Sequence, residues 1–180
     1  MIGPNTDTDD AVEAALAPFD ESLDVEPFRI HLDHKEILLM ANHYNVSPAN
    51  LQELATHMPA WRSGEGGVDR EGLFRLSTCN PDGRWDWYEI GGRWDGNIPY
   101  SRSNVIRAGT LARSKHLEKC LLDYVVTPSG QWLEHERFYP TSEWRTVDKE
   151  SLPESEWLGI VRETLLRWPD YRVVCVDIHC

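Results

Sequence analysis

No run of apolar residues in this chain approaches the ~20 that a membrane-spanning helix needs. The N-terminus is polar and acidic, without the basic stretch and apolar core of a secretion signal. These features lead to the expectation of a cytoplasmic protein with no membrane partner. Cysteine is sparse: Cys79, Cys120, Cys175 and Cys180 make no CxxC pair and lack zinc spacing. Reduced thiols are therefore expected rather than a disulfide framework. The GxSxG nucleophile elbow, the Walker-type phosphate loop and the dinucleotide fingerprint are missing. No motif names a cofactor, which stays unknown, or a metal. His31, His34 and His43 are the nearest to a metal set, and their spacing matches no zinc signature. Basic residues are scarce in the first third, where residues 1–60 hold 2 against 11 acids. With a net charge of −12, the protein is poorly suited to duplex DNA, whose affinity comes mainly from neutralising cations.

Tryptophan, by contrast, is plentiful: eight in 180 residues. Three of them crowd into Arg84-Trp85-Asp86-Trp87-Tyr88-Glu89-Ile90-Gly91-Gly92-Arg93-Trp94. This stretch lies in residues 61–120, the only net-basic third of the chain. A Gly-Gly pair between strand-forming residues signals a tight hairpin, because primed turns need positive φ. A turn at Gly91-Gly92 sets Ile90 opposite Arg93 and Glu89 opposite Trp94. Opposed residues share a face. One face then carries Trp85, Trp87, Trp94 and Glu89, and the other carries Asp86, Tyr88, Ile90, Arg93 and Asp95.

The length fits one domain over residues 1–180, with enough chain to bury a core. Residues 6–17 read as a helix with acids in its first turn, stopped by Pro18. Asp33 and Glu36 have capping-box spacing before a helix to Tyr44, and Ser47-Pro48 opens another to about His57. The pair resembles a helix-turn-helix, but residues 48–59 hold no Lys or Arg, so two packed helices are expected. Residues 59–72 read as a loop, 73–78 as a strand and 80–83 as a turn. Residues 98–120 carry Arg102, Arg107, Arg113, Lys115, His116 and Lys119, with a helix from Ala108 or Leu111. Residues 121–126 and 131–135 form a hairpin around Thr127-Pro128-Ser129-Gly130. Residues 138–150 read as irregular. Trp157, Ile160, Val161, Leu165 and Trp168 have helical spacing after a cap at Ser151. Residues 171–180 read as a buried, central strand. The sum is an α+β fold, mostly antiparallel, with two to four packed helices.

Three groups can carry chemistry. Indoles on a half-open sheet stack flat ligands, and Arg84 or Arg93 can pair a phosphate or carboxylate, with Arg102 or Arg107 adding charge. Glu89 among three indoles would lose hydration and become a general acid or base. On the last strand, Cys175, Asp177 and His179 fall on one face, where Asp177 can orient His179.

Residues 85–94, Trp-Asp-Trp-Tyr-Glu-Ile-Gly-Gly-Arg-Trp, resemble the signature of a family of uncharacterised proteins of bacteriophage and bacterial genomes. The resemblance extends to residues 16–21, the Asn80-Pro81 turn, residues 127–132 and the closing Val176-Asp177-Ile178-His179. It implies a phage or mobile-element accessory protein and an extra strand before the first helix, and it assigns no catalytic residue.

The favoured expectation is a protein that binds a small anionic, nucleotide-like molecule, using Trp85, Trp87, Trp94, Tyr88, Arg84, Arg93 and Asp86. One alternative is a hydrolase or transferase with Glu89, Asp177 and His179 as its catalytic groups. Another is an acidic interaction protein whose carboxylates replace phosphates on a nucleic-acid enzyme, a protein partner.

Overall fold

The computed structural model describes residues 1–59, 65–98, 103–120, 123–140 and 147–179, with backbone only at 137–140 and 147–150. In chain order the elements are α1 (Thr8–Leu16), β1 (Asp24–His31), α2 (His34–Tyr44), α3 (Leu51–Thr56), β2 (Gly66–Val68) and β3 (Leu73–Cys79). There follow β4 (Trp87–Ile90), β5 (Val105–Arg107), α4 (Ala108–Ala112), β6 (Tyr124–Val126), β7 (Trp132–Glu134), β8 (Glu136–Pro140) and β9 (Val147–Ser151). α5 (Glu154–Arg167), β10 (Arg172–Val174) and β11 (Val176–His179) close the chain. The fold is α+β and the strand pairings within its sheets are antiparallel. Among the described residues no helix is long and apolar enough to cross a membrane.

The chain divides into two compact units. One comprises the described residues of Leu23–Asn80. Its sheet runs β1-β3-β2. Asp33 caps α2 through the expected capping box, accepting from Glu36 N at 2.7 Å while the Glu36 carboxylate accepts from Asp33 N. Asn45, in left-handed conformation, ends the helix, its N–H and that of Val46 donating to the final carbonyls. Met40, Ala41, Leu54, Met58, Leu73 and Leu32 form its core, the packed helix pair expected from the apolar spacing. The segment read as a loop over 59–72 contains β2, three residues too few to show alternation. Asp69 closes the following turn, accepting from Glu71 N and Gly72 N, and pairs with Arg29 (2.8 Å) and His31 (3.0 Å).

The other unit comprises the described residues of Met1–Ser22, Pro81–Pro140 and Thr146–Cys180. Its organising segment is the closing strand. β10 pairs with β5 and β11 with β4, while Arg172 exchanges two backbone hydrogen bonds with Ile2. Short partners from three distant parts of the chain thus meet on residues 172–179. α1 is capped by Asp7, which accepts from Asp9 N and Asp10 N, and Pro18 turns its end into a single 3-10 turn. Its buried Val12 and Leu16 pack with Ile2, Phe19 and Trp85. A second cluster joins Trp157, Val161 and Leu165 of α5 to Ala108, Leu111 and Ala112 of α4. The helix-period stripe of α5 is as expected, although Pro153 rather than Ser151 holds the N-cap position. β8 and β9 pair across the region read as irregular, and β5 is a further strand in the cationic stretch. β5 spans three residues, too few to show alternation, and β9 is polar at most positions, so neither pairing has a period of its own to read.

Candidate functional site

Gly91-Gly92 is not a hairpin loop. β4 pairs with β11, so Glu89 faces Asp177, Tyr88 faces Ile178, Trp87 faces His179 and Ile90 faces Val176. After Ile90 the chain enters a 3-10 turn over Gly92–Trp94, closed by Trp94 N donating to Gly91 O at 2.9 Å. Both glycines have positive φ (79° and 50°), but space is the further requirement. A Cβ on Gly91 would lie 2.2 Å from Asn104 Nδ2, and one on Gly92 would lie 2.5 Å from Asp177 Cβ. The pair is a close-approach device that lets Asn104 and Asp177 reach the backbone.

This changes where each indole sits. Trp85 is core: it packs with Phe19 and Leu16, meets Tyr88 edge-on, and its Nε1 donates to Leu16 O at 3.0 Å. Tyr88, Ile90, Val176 and Ile178 pack against the same cluster, so by alternation Trp87, Glu89, Asp177 and His179 face the other way. Trp87 is 52% exposed there, and Glu89 is exposed rather than enclosed by indoles. The single aromatic face with Glu89 at its centre does not form. Trp85 lies before β4, in an isolated bridge to Asp20, so strand alternation does not carry it to the face of Trp87 and Glu89. Trp94 sits in the 3-10 turn rather than on a returning strand.

The same register places Glu89, Asp177 and His179 on one face, but with other partners than expected. Asp177 is 1% exposed, and Arg93 occupies both its oxygens. The His179 ring pairs through Nδ1 with Asp86 (2.8 Å), not with Asp177. Arg93 hydrogen bonds, from the guanidinium and then from the backbone N–H, hold the Asp177 carboxyl down at about 2 against the opposing effect of burial. The guanidinium in turn is raised by the same pairing. Arg84 donates to Gly83 O (2.7 Å) and lies 4.0 Å from Glu134. Arg107 pairs with Asp170, and Arg102 and Cys180 lie outside the described residues. Cys79, Cys120 and Cys175 are free thiols. Among the described residues no group of three His, Cys, Asp or Glu side chains is placed to hold a metal ion.

What the structure does assemble is a cavity of about 220 Å³ in this unit. Trp94, Trp132 and Tyr124 supply aromatic wall, and Val12, Ala15 and Leu16 of α1 with Val174, Val176 and Ile178 of the closing strand supply aliphatic wall. Arg93, Asp123 and Cys175 are the charged or ionisable side chains beside them, and Met1, whose amine donates to Val126 O, lines the cavity as well. Burial pushes the Cys175 thiol up, so it lines the wall as a neutral group whose Sγ points to Trp94 O at 3.9 Å. Trp132 is wedged between Phe19 (5.0 Å between centroids) and Tyr124 (5.3 Å), its Nε1 buried with no hydrogen-bond partner among the described residues.

Of the expected ligand-binding residues, only Arg93 and Trp94 line this cavity. The sequence reading missed Trp132, Tyr124 and Asp123. The hairpin that carries them was legible, and its alternation puts Tyr124, Val126 and Trp132 on one face, with Val126 directly opposite Trp132. No family model matches this sequence, and neither a curated protein nor a solved structure is significantly similar to it.

Proposed function

We propose that this is a small-ligand-binding protein, cytoplasmic and acting as a phage or mobile-element accessory, with its site in the cavity between α1, the β6–β7 hairpin and the closing strand. The observation that carries this reading is an aromatic and aliphatic cavity of about 220 Å³ with an exposed guanidinium, Arg93, among its lining residues. A mostly apolar pocket with a few orienting polar groups is the usual form of a small-molecule site. Its size suits a flat ring system, since benzene already enters cavities of ~150 Å³. Arg93 Nη1 makes no hydrogen bond among the described residues, which leaves a donor for an anionic group on the ligand. The nucleotide-like ligand expected from sequence becomes a ligand whose ring enters this cavity rather than a stack on a sheet face.

Ligand-induced stabilisation tests the reading. A ligand that binds only the folded state raises Tm with concentration, by RT ln(1 + [L]/Kd) in free energy. Heteroaromatic acids, amines and zwitterions, with nucleoside monophosphates, screened at millimolar concentration, should include compounds that raise Tm in the parent and in Trp87→Ala. Ala15→Phe, which fills the cavity from α1, should lose the response. Identical responses in Ala15→Phe and the parent would refute the assignment.

A further inference from the structure

The charges at the cavity narrow the ligand further, on the reading just given that the cavity is a binding site. Arg93 is already neutralised by Asp177, which its guanidinium holds through Nε and Nη2. Asp123, exposed and lining the same cavity, makes no side-chain hydrogen bond or ion pair among the described residues, and it is not paired with Arg93. Beside the Met1 amine, which donates to Val126 O at 2.7 Å and whose pKa burial lowers to about 6, the described residues of the site offer one carboxylate without a side-chain partner and one free guanidinium donor. A purely anionic ligand would satisfy Arg93 and be repelled by Asp123. A purely cationic one would leave Arg93 Nη1 unused. A zwitterion with an apolar body answers both groups and the wall.

We propose that the site takes a free α-amino acid with a large apolar side chain. Its side chain enters between Trp94, Trp132 and Tyr124, its ammonium pairs with Asp123, and its carboxylate takes the Arg93 Nη1 donor. The wall supports this choice over a nucleobase, whose ring edge needs several hydrogen-bond partners. The wall is predominantly aliphatic and aromatic, and the Cys175 thiol is neutral. The cavity of about 220 Å³ is also below the ~300–1,000 Å³ of sites that engulf drug-sized ligands, whereas a phenyl or indole ring fits.

Isothermal titration calorimetry with L-phenylalanine, L-tryptophan, phenylethylamine, 3-phenylpropionate and AMP tests it, in the parent, Asp123→Asn and Ala15→Phe. L-Phenylalanine or L-tryptophan should bind roughly tenfold or more tightly than either half-molecule, the scale of one charged hydrogen bond. Asp123→Asn should lose about that factor for the amino acids and none for 3-phenylpropionate. Asp123 is exposed, so its replacement leaves the fold intact. If 3-phenylpropionate or AMP binds as well as the amino acids, or Asp123→Asn leaves amino-acid binding unchanged, the zwitterion assignment is wrong. In that case, loss of the observed binding in Ala15→Phe would leave the cavity reading standing. No binding by any probe overturns the assignment, and the wider screen by Tm then decides the cavity reading separately.

Discussion

Arg93 grips Asp177 with two parallel hydrogen bonds, Nη2 to Oδ1 at 2.6 Å and Nε to Oδ2 at 2.8 Å. Its backbone N–H adds a third to Oδ2 at 2.9 Å. The two residues are 84 positions apart, and their pairing fixes the Gly-Gly turn against the closing strand. It ties together the two motifs that the sequence offers as separate sites.

Acid should weaken this tie in a defined window. The Asp177 carboxyl is lowered from 3.8 to about 2 in the fold, so it contributes stability above about pH 4 that is lost as pH falls through about 2. Asp177→Asn should therefore be less stable than the parent at neutral pH, and the gap should narrow between pH 4 and 2. Urea unfolding across that range measures it. A gap that is constant with pH would show that charge is not what Asp177 contributes.

Gly92→Ala should be disruptive beyond its backbone strain. Left-handed φ alone costs an alanine roughly 1–2 kcal/mol, which is all that Gly96→Ala should lose, since a Cβ there meets open space. At Gly92 the new Cβ also meets Asp177 Cβ at 2.5 Å and Oδ2 at 2.7 Å. Denaturation midpoints for the two variants give the comparison, and equal losses would contradict the close-approach role.

The indoles should separate by energetic role. Trp85→Ala empties a buried position and strands the Leu16 carbonyl, with a loss of about 3–5 kcal/mol. Trp87→Ala, at a half-exposed position on the outward face, should change stability by no more than about 0.5 kcal/mol. Comparable losses would restore the single aromatic cluster that the sequence suggests.

The local features were legible and the distant pairings were not. The capping box at Asp33, the apolar stripe of α5 and the Thr127-Pro128-Ser129-Gly130 hairpin each lie within one turn or one helix, so spacing alone reveals them. Positive φ at Gly91 and Gly92 was also legible, but a tight turn and a close approach make the same demand on glycine. Only β11, far along the chain, decides between them. The site was half legible for the same reason. Arg93 and Trp94 stand in the conspicuous motif, whereas Trp132, Tyr124 and Asp123 join them only through tertiary packing. The His179–Asp86 pair likewise depends on register, since it needs Trp87 opposite His179.

The most direct test of the cavity as a ligand site is the ¹⁵N–¹H spectrum of the indole Nε1 groups, assigned by single Trp→Phe replacements. Titration with a ligand found in the screen should shift the Trp94 and Trp132 signals saturably and leave that of Trp87 in place. Shifts confined to Trp87, or shifts that fail to saturate, would contradict the account.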